Sequence, residues 1–101
     1  MNGIKGTHLV FLEDSFRKRL FEEAVAKAGS KHQLRFILGY LGQANLNGML
    51  DGRIGIPMQR LTRMCNFLKL PLKELDSHVV KVKDESGRVL NIKMEGRSIR
   101  L

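Results

Sequence analysis

The sequence predicts a mainly α domain: five short helices closed by a C-terminal β-hairpin. Three observations predict it. Apolar residues recur at helical spacing from Phe16 to Leu75. Glycine and proline divide that stretch at short intervals, at Gly29, Gly39, Gly42, Gly52, Pro57 and Pro71. From Val79 onward the pattern switches to alternation around a turn at 84–87.

Residues 7–12 (THLVFL) read as a strand, followed by Asp14 and Ser15, either of which can cap a helix. Phe16, Leu20, Phe21, Ala24 and Ala28 then form the apolar face of a first helix, with Arg17, Lys18, Arg19, Glu22 and Glu23 mostly elsewhere. Gly29 ends it. Ser30 and Gln33 make a capping box for a second helix, with Leu34, Ile37, Leu38 and Leu41 on one face. Gly39 and Gly42 bracket a tight connection to a third helix at 43–50, with Leu46, Met49 and Leu50 inward. Gly48 in its middle costs about 1 kcal/mol relative to Ala, so its missing side chain needs a reason: close packing or a close partner. Pro57 is placed as the first residue of a fourth helix carrying Leu61, Met64, Cys65 and Leu68. A short fifth helix is expected at 72–76. Val79–Lys83 and 88–94 form the hairpin, with Val80, Val82, Leu90, Ile92 and Met94 as its apolar face. The N-terminal strand can join it to make three strands.

The length of 101 residues, with 43% hydrophobic and 28% charged residues, fits one globular domain, 1–101, with a helical core at 16–76 and the hairpin at 79–94. Cys65 is the single cysteine, so no intrachain disulfide and no cysteine-rich zinc module can form. It falls on an apolar helical face and is expected to be buried and inert. No apolar run reaches membrane-spanning length and no signal peptide is expected, which places the chain in the cytoplasm, associated with the nucleoid.

The net charge is +8, and it is concentrated. Between Glu23 and Glu74, Lys27, Lys31, Arg35, Arg53, Arg60, Arg63, Lys69 and Lys73 face a single acid, Asp51. That stretch carries +7 of the total. A segment so depleted of acids attracts polyanions, nucleic acid first among them.

Helices joined by a glycine-containing turn within this basic stretch suggest a helix-turn-helix. The blocks GSKHQLRFILG (29–39), LNGMLDGR (46–53) and the run from Ile56-Pro57 through Leu61, Cys65, Leu68, Leu70, Leu72 and Leu75 resemble the Cro/C1-repressor-like (XRE-type) family over about residues 16–76. The resemblance implies a lambda-repressor-like fold and sequence-specific binding to double-stranded DNA by a transcriptional regulator. It implies that Gln43, Ala44 and Asn47 face the major groove, with Gly48 allowing close approach. Gln33 would donate to a phosphate, aided by the helix N-terminus, with Arg53 and Arg60 as further phosphate contacts and Lys31 and Arg35 adding charge at the edge. Two departures mark this chain. Arg35 stands where the family usually has a small residue, and the segment from Gly39 to Leu46 is longer by one, which alters the helix angle and the register of the contacts.

No catalytic constellation is visible. His8, His32 and His78 lack metal-ligand spacing, no phosphate-binding loop occurs, and neither enzyme activity, metal nor cofactor is expected. Other readings stay open: a DNA-targeting module of a homing-endonuclease-like assembly, an antitoxin whose hairpin holds a toxin, or a non-specific RNA binder using Lys81, Lys83, Arg88 and Lys93. A homodimer through the hairpin is expected from its free edge.

Overall fold

The centre of the sheet is its first strand. In the computed structural model, which describes residues 4–101, β1 (Leu9–Leu12) pairs antiparallel on one side with β2 (Ile56–Pro57) and on the other with β3 (Val79–Lys83), and β3 pairs with β4 (Val89–Ile92). The strand order is β2-β1-β3-β4. Alternation places Val10 and Leu12 of β1 in the core. Between the strands run α1 (Asp14–Ala28), α2 (Lys31–Ile37), α3 (Gln43–Asp51) and α4 (Met58–Leu68), then a 3-10 helix (Leu72–His78).

This corrects the expected mainly α class. Half of the chain is helical and 15% is strand, and the four antiparallel strands form a full layer, so the fold is α+β. Two features moved it. The N-terminal strand is central rather than an addition to a hairpin. Pro57, expected as the first residue of the fourth helix, instead joins Ile56 in pairing with Leu9 and Val10, and makes a fourth strand before α4 begins at Met58. Pro57 tolerates this because a short edge strand needs no donor from it.

The helices follow from the apolar spacing. Leu20, Phe21 and Ala24 of α1, Leu34 of α2, Leu46 and Met49 of α3, and Leu61, Met64 and Cys65 of α4 meet Val10, Ile56, Val79 and Val82 of the sheet in one core cluster. Gly29 (φ 101°) and Gly52 (φ 85°) end α1 and α3. Ser30 caps α2, its hydroxyl accepting from the Gln33 N–H at 3.1 Å. Neither Asp14 nor Ser15 caps α1: Glu13 takes that position, and its carboxylate binds His78 Nδ1 at 2.8 Å instead. Cys65 is buried, which pushes its thiol up to about 11.

The hairpin departs from simple alternation. Phe11 pairs with Lys81 and Leu12 with Val79, which leaves Val80 as an extra residue; Val82 pairs with Asn91 and Lys83 with Val89, which leaves Leu90 extra. Each is a β-bulge. The first bulge puts Val79 and Val82 in the core and turns Val80 outward, where Val80 was expected beside Val82.

Candidate nucleic-acid interface

The segment joining α2 to α3 runs over residues 38–42. Gly39 (φ 99°) and Tyr40 (φ 60°) are both left-handed. Two arginines hold it. Arg35 Nε donates to the Leu41 carbonyl at 2.8 Å, and Arg60 Nη1 donates to the carbonyls of Leu38 at 2.7 Å and Gly39 at 3.0 Å. These cations satisfy carbonyls left open where α2 ends. A Cβ on Gly39 would collide with the Arg60 guanidinium, so glycine serves here both for its φ and for the room it leaves.

Two of the expected phosphate contacts thus also brace the turn, Arg35 through Nε and Arg60 through Nη1. Arg35 also sits 3.3 Å from His32 Nδ1. The long side chain at position 35 reaches forward to Leu41 and closes the turn.

Helix α3 is fixed from its other end by Arg17. This residue is only 6% exposed. Its Nε donates to the Leu50 carbonyl at 3.0 Å and its Nη1 to Asp14 Oδ1 at 2.6 Å. A cation at a helix C-terminus complements the helix dipole as well as its open carbonyls. The helical pattern sets Arg17 off the apolar face of α1 and gives no sign of this role.

With both ends held, α3 presents an outer face. Gln43 and Ala44 are exposed, Asn47 is half-buried, and Gln43 Nε2 donates to Asn47 Oδ1 at 3.2 Å across one helical turn. Gly48 is not on that face. It is buried, and a Cβ there would overlap the Ile54 side chain, while its carbonyl accepts from the Ile54 N–H at 3.1 Å. The expected base-side approach at Gly48 is therefore corrected: the missing side chain makes room for Ile54.

The remaining predicted residues flank α3. Lys31 and Gln33 are exposed on α2; the Gln33 N–H is used by Ser30, so its side-chain amide is the available donor. Arg53 is exposed just past α3, and its Nε donates to both Asp51 oxygens at 3.1 Å. Burial pushes the Asp51 carboxyl up, but the Arg53 side-chain and backbone bonds outweigh it and hold the group below its usual range.

Other cations of the basic stretch are partly engaged. Lys27 Nζ donates to the Phe67 carbonyl at 2.6 Å. Arg63, Lys69 and Lys73 are exposed, and the Arg63 guanidinium carbon lies 3.6 Å from where a Gly39 Cβ would be. On the hairpin, Lys81 and Lys83 lie 4.9 and 5.2 Å from the centre of the Phe11 ring, and Lys93 donates to the Ser77 carbonyl at 2.7 Å.

An aromatic row not expected from the sequence lies beside the turn. His32, Phe36 and Tyr40 contact edge to face, with ring centres 5.1 and 5.3 Å apart. Phe36 is 42% and Tyr40 82% exposed. Their spacing of four, off the Leu34–Leu38–Leu41 face, was visible in the sequence.

Among the described residues no group of three or more His, Cys, Asp or Glu is placed to hold a metal ion, and no helix is long and apolar enough to cross a membrane. Comparison with protein-family models, with curated proteins and with solved structures finds no match for this chain.

Proposed function

We propose that this protein binds double-stranded DNA sequence-specifically through the outer face of α3, as a transcriptional regulator. The observation that carries the reading is the Gln43–Asn47 amide pair on a helix held at both ends, by Arg17 at one and by the Arg35 and Arg60 turn at the other. Side-chain amides of this kind read adenine by paired hydrogen bonds in the major groove, and exposed Ala44 suits a thymine methyl. Lys31, Gln33 and Arg53 lie on either side of α3 in sequence and supply phosphate donors. A rigid helix is what such reading needs, because the donors must be placed before contact.

A homodimer through β4 accompanies this reading. Val89, Leu90, Ile92 and Met94 are exposed beside a strand with one unpaired edge, and pairing two such edges would join two copies of α3 on one two-fold axis. A DNA-binding role places the protein in the cytoplasm with the nucleoid. The non-specific RNA reading loses support from the hairpin, whose Lys81, Lys83 and Lys93 lie against Phe11 and Ser77.

Selection of bound duplexes from a random pool, followed by salt titration on the recovered sequence, tests the proposal. An enriched motif with half-sites related by two-fold symmetry is expected. Absence of any enriched motif at physiological salt would sink it.

A further inference from the structure

Among the described residues two that are not glycine adopt a left-handed backbone, Tyr40 and Lys69. Lys69 has a local reason: it ends α4, with its N–H bonded to the Cys65 and Asn66 carbonyls. Tyr40 does not end a helix; it follows Gly39, which is already left-handed, in the middle of the turn. A bulky side chain at positive φ is a strained choice that persists where the surroundings impose it and clusters at functional sites. Here Arg35 and Arg60 impose it, on the carbonyls of Leu38, Gly39 and Leu41 either side of Tyr40.

The strained residue is also the most exposed large hydrophobic side chain in the described structure, at 82%. Phe36 meets it edge to face, which keeps the phenol in place and leaves most of it open to solvent. The exposed Arg63 guanidinium lies beside Gly39, and the only acid from residue 24 to residue 73, Asp51, is bound to Arg53. An exposed aromatic surface with a guanidinium beside it, in a stretch of chain whose one acid is already paired, fits a polyanion that carries flat rings.

We propose that Tyr40, backed by Phe36 and flanked by Arg63, is a stacking seat for a nucleobase that has left the duplex stack. The inference rests on the nucleic-acid reading above and deepens it: the preferred ligand is a duplex with an unpaired base, taken up three residues before Gln43, where α3 starts. Tyr40 stacks on the base and Arg63 neutralises the adjoining phosphate.

The chain contains one tyrosine and no tryptophan, so its intrinsic emission reports on Tyr40 alone. The test titrates the protein with a fully paired duplex and with the same duplex carrying one unpaired base at successive positions, reading emission and affinity together. Unpaired bases at one or two neighbouring positions are expected to quench the emission and bind about tenfold tighter than the paired duplex. Tyr40→Gly, which suits the local φ and so folds, should lose that ratio, and Tyr40→Phe should keep it. Equal affinity and unquenched emission at every position, or a ratio unchanged in Tyr40→Gly, overturns the seat and leaves reading by α3 standing. Quenching by unpaired bases with no binding of paired duplexes supports the seat and overturns reading by α3.

Discussion

Arg17 connects two helices through one guanidinium. Its burial is tolerated because the Asp14 carboxylate and the Leu50 carbonyl accept its hydrogen bonds. Arg17→Ala leaves that carbonyl without its donor and opens space beside Gly52, so a loss of about 2–3 kcal/mol is expected by urea unfolding. Arg17→Met fills the space but still lacks the bond, and should recover only part of the loss. Tyr40 works in the opposite direction. Glycine accepts φ 60° without the Cβ conflict, so Tyr40→Gly is expected to raise stability by about 0.5–1 kcal/mol, seen as a higher Tm. A gain of stability together with a loss of unpaired-base binding would mark strain retained for function.

At the scale of elements, α3 divides its work between amides and flanking charge. Gln43→Ala or Asn47→Ala should lower discrimination between selected and mismatched duplexes by about 1–3 kcal/mol. Arg53→Ala should weaken all sequences alike and reduce the salt slope by about one ion. Equal losses on every sequence for all three variants would show that α3 does not read bases. The β3–β4 hairpin carries a pH dependence through its turn. Asp84 Oδ1 accepts from Ser86 Oγ at 2.6 Å and from the N–H groups of Ser86 and Arg88 at 2.9 Å. The Ser86 hydroxyl foremost, then these backbone donors, hold the carboxyl below its ordinary value. A depressed carboxyl stabilises fully above its unfolded value, about 3.9, and the effect is lost as pH falls through the lower folded value. The protection of the Val82 and Asn91 amides, relative to their intrinsic exchange, should therefore fall below about pH 4, and in Asp84→Ala it should be low at neutral pH already.

The four helices were legible because their signals are local: apolar spacing, Ser30 at a cap, Gly29 and Gly52 at ends. The fold class was not. A two-residue strand has no period to read, and the bulges at Val80 and Leu90 break the alternation that hairpin reading depends on. The outer residues of α3 were legible for the same reason as its inner ones, since one face implies the other. The arginines were not, because a long side chain can reach several carbonyls and tertiary packing selects which. Gly48 shows the boundary well: its cost was visible in the sequence, and its cause, Ile54, lies six residues away across the end of the helix.

For the whole molecule, charge and apolar surface are segregated. The basic cluster flanks α3, while Leu90, Ile92 and Met94 gather at β4. Light scattering at micromolar concentration should give twice the chain mass, and Ile92→Lys, a charge on the free edge, should give the single chain with its helical signal intact. A dimer unaffected by that change would move the interface elsewhere.

The central place of β1 has a consequence for how the chain comes together. Leu12 pairs with Val79, and the intervening residues hold all four α-helices but only the two-residue β2 as another partner for β1. Emerging from the ribosome, β1 can meet β2 once residues 56–57 are made, but β3 only once residues 79–83 follow. Until then the middle of the sheet is an open edge, and the helices assemble around a strand still waiting for its main neighbour.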